Sequence, residues 1–152
     1  SGWLHILINM WFLWIFAKNI EDSMGHARFF VFYLLCGLFA TFSQWYFDPE
    51  LTIPVVGASG AIAGVLGAYF CIFPYARVVL WLPIFLLPIF FEVPAIAFLG
   101  FWVIIQFQNA TSALLFDGVS VDVAWWAHLG GFVAGVFLHP LFVSSEKNVE
   151  ID

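Results

Sequence analysis

The sequence predicts an all-α membrane protein, a polytopic helical bundle of five spans with one further interfacial or re-entrant segment. Three observations carry this expectation. Of the 152 residues, 64% are hydrophobic and only 9% charged, whereas a soluble domain carries about 25% charged residues. Mean hydropathy is +1.02, and the apolar residues come in long runs rather than in narrow stripes. Hydrocarbon offers a backbone no hydrogen-bond partners, so runs of that kind must close their own bonds as helices.

Taken in order, the first run covers 3–16 and is ended by Lys18, Asn19, Glu21 and Asp22. As a helix, Leu4–Phe16 rises about 20 Å, short of the roughly 30 Å hydrocarbon core. It is therefore expected to start in a water-filled vestibule, with further sequence upstream. The second run, 29–47, ends at Asp48 and Pro49, and the third, 55–74, follows Pro54. Val78–Phe107 would make a helix of about 45 Å, too long for one span and too short for two. Pro83, Pro88, Glu92 and Pro94 interrupt its first half, so Val78–Phe91 reads as the interfacial or re-entrant piece and 95–108 as the fourth span. A polar loop, 109–122, precedes the fifth span at 125–143. The whole of 1–143 is one domain, followed by a polar tail at 144–152.

Charge supports that count. Five spans place Lys18, Arg28, Arg77 and Lys147 on one side, against Asp48, Glu50, Asp117 and Asp122 on the other. By the positive-inside pattern the C-terminus is cytoplasmic. A sixth span would move Lys147 across. The formal charge of −6 comes from loops and tail, and four basic residues in all cannot build a nucleic-acid surface. Cys36 and Cys71 lie in apolar stretches and read as packing residues. No cofactor or metal is called for; the partners expected are the lipid bilayer and transmembrane protein substrates.

Polar side chains inside spans are costly and need a reason. The candidates are His5, Asn9, Ser59, Gln106 and His128. Ser59 lies in Gly57-Ala58-Ser59-Gly60 at the start of the third helix, where unpaired N–H groups and the helix dipole favour an anion. A serine there can attack a carbonyl while those N–H groups hold the oxyanion. The same tetrapeptide also serves plain helix packing. His128, in Trp126-Ala127-His128-Leu129-Gly130-Gly131, is a candidate general base, and equally a structural histidine or part of a proton path. A zinc site fits poorly, because no His-Glu-x-x-His is present. His5 and Asn9 share one helix face at i, i+4, either as a polar clamp or as donors to an oxyanion.

Depth favours the catalytic readings. The first, third and fifth helices enter from the same face, and His5, Asn9, Ser59 and His128 fall in their opening turns. Small residues provide close approach: Gly60 and Gly64 on the third helix, Gly131 and Gly135 on the fifth. Ser59 and His128 begin those stripes, so packing along them brings nucleophile and base together. Ala68, away from the stripe, is expected to face lipid. No carboxylate is available to orient His128, so the site is a dyad and a slow enzyme is expected.

The chain resembles bacterial-type rhomboid proteases. The resemblance rests on His5-x-x-x-Asn9, Asn19-Ile20-Glu21-Asp22 with Gly25, Gly57-Ala58-Ser59-Gly60, Gly100-Phe101-Trp102 to Gln106, and Ala127-His128-Leu129-Gly130-Gly131. It implies a six-helix core that cleaves transmembrane substrates near the outer leaflet of a prokaryotic plasma membrane, the family's first helix being absent here. It implies Ser59 as nucleophile and His128 as base, with His5, Asn9 and the Ser59 backbone N–H as oxyanion donors. Ile8, Phe12 and Ile62 would line the pocket for the residue before the cut. Trp102 and the stretch from about Phe116 to Trp125 would gate access. Ala63 stands where some members carry a tyrosine against the histidine, so the imidazole must be oriented by something else. A rhomboid-like protein that binds clients without cleaving them is the alternative, followed by a proton-coupled transporter.

Overall fold

A computed structural model describes residues 2–49, 58–84, 87–115 and 123–144, with side chains left out at 82–84 and 87–88. Its order is α1 (Trp3–Met24), α2 (His26–Phe47), α3 (Ser59–Ile72), β1 (Arg77–Ile84), β2 (Leu87–Pro94), α4 (Ala95–Leu115) and α5 (Trp125–Phe142). α1, α2 and α4 are each long and apolar enough to cross a membrane. The chain is thus a helical, polytopic membrane protein.

The first helix is longer than expected. Its polar end does not stop it, because Lys18 Nζ meets Asp22 Oδ2 at 2.6 Å and Ser23 Oγ donates to the Asn19 carbonyl at 2.8 Å, both along the helix. At 22 residues it spans about 33 Å, so the vestibule argument from its length falls away. Gly25 ends it with φ +83° and ψ 152°, a backbone region that side-chain-bearing residues avoid. α2 starts at once, at His26 rather than at 29. α4 likewise runs past 108: Thr111 Oγ1 donates back to the Phe107 carbonyl at 2.9 Å, so the polar residues stay helical.

Val78–Phe91, expected as an interfacial or re-entrant segment, is an antiparallel hairpin within the otherwise helical described residues, with Trp81 opposite Phe90 and Pro83 opposite Pro88. Prolines are tolerated because both strands of a two-stranded sheet are edges. Ala95 N–H to Ala76 O (2.8 Å) and Ile96 N–H to Pro74 O (2.9 Å) close its base. The chain therefore enters α4 at the end where it left α3.

The remaining contacts fix directions. Phe47 stacks on Trp126 at 4.0 Å, and Phe32 meets Phe142 at 5.6 Å, so α2 and α5 are antiparallel. Phe16 packs edge-on against Tyr69 at 4.9 Å and stacks on Phe98 at 6.4 Å. The Ser144 N–H reaches the Ser23 carbonyl at 3.1 Å, bringing the ends of α1 and α5 together. α1, α3 and α5 thus run one way and α2 and α4 the other. Within α5, Pro140 deprives the Val136 carbonyl of its usual i+4 donor, and His139 Nδ1 takes that place at 2.8 Å.

α3 lies at the centre, with every residue from Gly60 to Tyr69 buried. A helix apolar all round belongs inside a bundle, and being enclosed it needs no more than its 14 residues. Ala68 is completely buried, not lipid-facing. The glycines seat α3 on both neighbours. A Cβ on Gly131 would strike the Gly60 carbonyl, and one on Gly135 the Gly64 backbone. A Cβ on Gly60 would lie 2.5 Å from the Ala40 Cβ, and one on Gly64 would overlap Cys36, so the α3 stripe also faces α2. Gly57 lies outside the described residues.

Candidate active site

A cavity of ≈ 240 Å³ opens between the opening turns of α1, α3 and α5 and the middle of α4. His5 and Asn9 reach it from α1, Ser59 from α3 and His128 from α5. Ile8, Phe12, Ile62, Trp102 and Trp125 also line it. The fold thus brings together every expected site residue that the structure describes; Phe116 and most of the loop before Trp125 lie outside them. The volume suits one side chain rather than a drug-sized ligand.

Ser59 is the first residue of α3, after Ala58, which supplies no capping side chain. The first helical bond runs from Ile62 N–H to Ala58 O (2.9 Å). The N–H groups of Ser59, Gly60 and Ala61 therefore precede any carbonyl the helix can offer them. Ser59 Oγ makes no hydrogen bond among the described residues. The Ser59 hydroxyl and the His128 imidazole thus share a cavity without a hydrogen bond between them. Ser59 also borders a second hollow of ≈ 390 Å³ between α2 and α3, which contains no histidine.

On α1 the two candidate donors differ. Asn9 Nδ2 donates to the His5 carbonyl of its own helix at 2.9 Å. His5 Nε2 is buried and has no partner among the described residues. A buried polar atom without a partner costs about 1–3 kcal/mol, which a ligand atom in the cavity would relieve.

Two glutamines, the buried polar side chains of the described core, hold the start of α5. α5 begins after Ala124 without a side-chain cap. Gln44 on α2 provides one from outside, its Oε1 accepting the Ala127 N–H at 3.2 Å. Gln106 Oε1 lies 2.8 Å from His128 Nδ1. The imidazole is flanked by Trp102 at 5.9 Å and by Trp125 edge-on at 6.2 Å. Gln106 was visible in the sequence as an intramembrane polar residue without a role. Its i, i+4 spacing from Trp102 puts both on one face of α4, but the sequence did not tie that face to His128. Nothing in the sequence singled out Gln44.

A family model of the Rhomboid domain matches residues 1–145. The chain belongs to the rhomboid family. This rhomboid chain is 35% identical over 138 residues to "Rhomboid protein 1, mitochondrial" of Saccharomyces cerevisiae, covering 87% of the chain and 36% of that protein. It is 32% identical over 144 residues to "Presenilin-associated rhomboid-like protein A, mitochondrial" of Danio rerio, covering 88% and 33%. It is 36% identical over 69 residues to the "Putative rhomboid protease YdcA" of Bacillus subtilis, covering 45% and 34%. The chain spans about a third of the length of these relatives. No solved structure matches it. Relatives named for mitochondria give no support to the expected prokaryotic plasma membrane; what stands is an integral membrane protein.

Proposed function

We propose that this rhomboid chain carries the catalytic centre of an intramembrane serine endopeptidase that cuts transmembrane proteins. The supporting observation is the shared cavity: one hydroxyl and two imidazoles, one of them with a buried nitrogen that has no partner among the described residues, meet at a helix N-terminus. In the proposed reaction Ser59 Oγ bonds to the scissile carbonyl carbon as His128 Nε2 takes the hydroxyl proton. The carbonyl oxygen becomes an oxyanion facing His5 Nε2–H, the Asn9 amide and the first N–H groups of α3. Collapse breaks the C–N bond, and His128 returns the proton to the leaving amine, giving an acyl-enzyme. Water, deprotonated by His128, then releases the second product and regenerates Ser59. Ile8, Phe12 and Ile62 form the pocket, and Trp102 and Trp125 stand beside the histidine as the gate. Lys18, Arg28 and Arg77 lie at the opposite end, which we assign to the cytoplasmic or equivalent side. The hairpin belongs there too, at the interface, since unpaired strand edges are not stable in hydrocarbon.

A serine-reactive fluorophosphonate tests this reading directly. The wild-type protein in detergent is expected to be labelled at Ser59, and heat-unfolded protein is not. Absence of a Ser59 adduct in folded protein would leave the client-binding reading in its place.

The difference between the α1 donors gives a second expectation. His5→Ala lowers turnover by about 10²–10³, the scale of one lost oxyanion donor, with little change in KM. Asn9→Ala costs less, because its amide is partly committed to the His5 carbonyl. Steady-state kinetics on a transmembrane reporter decides the order; a larger loss for Asn9→Ala reverses the assignment.

A further inference from the structure

We infer that Gln106 is the positioning residue that holds His128 in the tautomer a general base requires. The inference rests on the protease reading above and adds to it what replaces the missing acid. A glutamine Oε1 is an acceptor only. At 2.8 Å from His128 Nδ1 it is satisfied only if that nitrogen bears the hydrogen. Nε2 is then left with its lone pair, the form that accepts a proton from a serine hydroxyl. With the amide oxygen turned toward Nδ1 as it is here, the opposite tautomer would set two acceptors against each other at 5% exposure, where an unsatisfied polar pair is costly.

Nothing else around the ring does this. Among the described residues lining the cavity there is no aspartate or glutamate. Ala63, which also lines the cavity, has no polar side-chain atom to offer. Trp102 and Trp125 restrict the plane of the imidazole but not its tautomer. Gln106 therefore supplies the orienting part of a triad acid without the charge that would stabilise an imidazolium. Gln106 lines the same cavity, and its side-chain hydrogen bond is to His128 Nδ1, so the role inferred for it is exerted through the imidazole.

The test uses the full chain in detergent, with ¹⁵N-labelled histidine. Long-range ¹H–¹⁵N correlations, assigned by comparison with His128→Ala, are expected to show the Nδ1–H tautomer in the wild type. Gln106→Leu is expected to lose that preference and to lower kcat by about 10²-fold at nearly unchanged KM. This lies below the roughly 10⁴-fold cost of a wrong tautomer in soluble triads, where charge is lost as well. Gln106→Glu keeps an acceptor at the same place and is expected to recover turnover relative to Gln106→Leu. An Nε2–H tautomer in the wild type, or a Gln106→Leu variant with wild-type kcat, overturns the inference while Ser59 labelling leaves the protease reading standing. Loss of labelling in the wild type removes the protease reading whatever the tautomer. Should Gln106→Leu fail to fold, the wild-type tautomer still decides.

Discussion

Ser59→Ala and His128→Ala are each expected to bring cleavage of a transmembrane reporter down to background, a loss of about 10⁴ or more. The expectation follows from the contents of the cavity. Among the described residues that line it, Ser59 bears the one hydroxyl and none carries a thiol. No second nucleophile lines the cavity among the described residues, and on the proposed mechanism Ser59 and His128 act as a unit, so either loss is close to complete. The two variants should differ in stability. Ser59 Oγ has no hydrogen bond to lose among the described residues, so Ser59→Ala should unfold within about 0.5 kcal/mol of wild type. His128→Ala leaves the Gln106 amide oxygen buried and unpaired, at about 1–3 kcal/mol. Reporter cleavage in liposomes and thermal unfolding in detergent measure both. Turnover above background by purified Ser59→Ala would exclude it as the nucleophile.

The parts of the fold legible in the sequence were those governed by hydropathy. The five apolar runs, the common entry face of α1, α3 and α5, and the glycines between α3 and α5 all follow from where polar atoms are tolerated. Helix ends were less legible, because a hydropathy boundary is not a hydrogen-bond boundary. Lys18, Asp22 and Ser23 are polar, yet each returns its side chain to the helix, and only Gly25 with its positive φ stops α1. The hairpin was hidden for the opposite reason: Val78–Phe91 is apolar throughout, so neither the alternation of a half-buried strand nor the stripe of a helix is visible in it. Ala68 and Gln106 depended on tertiary placement. Ala68 looked peripheral because small residues elsewhere on α3 marked a contact face, whereas that helix is enclosed on every side. Gln106 could be noticed as an anomaly, but its meaning required the imidazole that α5 sets 2.8 Å away.

Gly131→Leu is expected to disable the site without altering any reacting group. A Cβ at Gly131 would run into the Gly60 carbonyl, and one at Gly135 into the Gly64 backbone. A backbone cannot rotate aside as a side chain can, so the helix axes must separate. Gly60 adjoins Ser59 and Gly131 lies one turn beyond His128, so the separation is transmitted to the proposed nucleophile and base. A displacement of about 1 Å costs roughly 10²-fold in rate, and Gly131→Leu should reach or exceed that. Insertion and helicity should persist, because lipid solvates a slightly separated helix almost as well as protein does. Gly64→Leu should show a related loss through α2, since its Cβ overlaps Cys36 as well as approaching the Gly131 carbonyl at 3.2 Å. The matched control is Val133→Leu, which adds bulk on the exposed side of α5, where Val133 is 50% accessible. Circular dichroism, reporter turnover and Ser59 labelling are measured on all three. Gly131→Leu protein that labels and turns over like Val133→Leu would mean that the glycine contacts do not position the pair, and that the Gln44 and Gln106 contacts to α5 suffice.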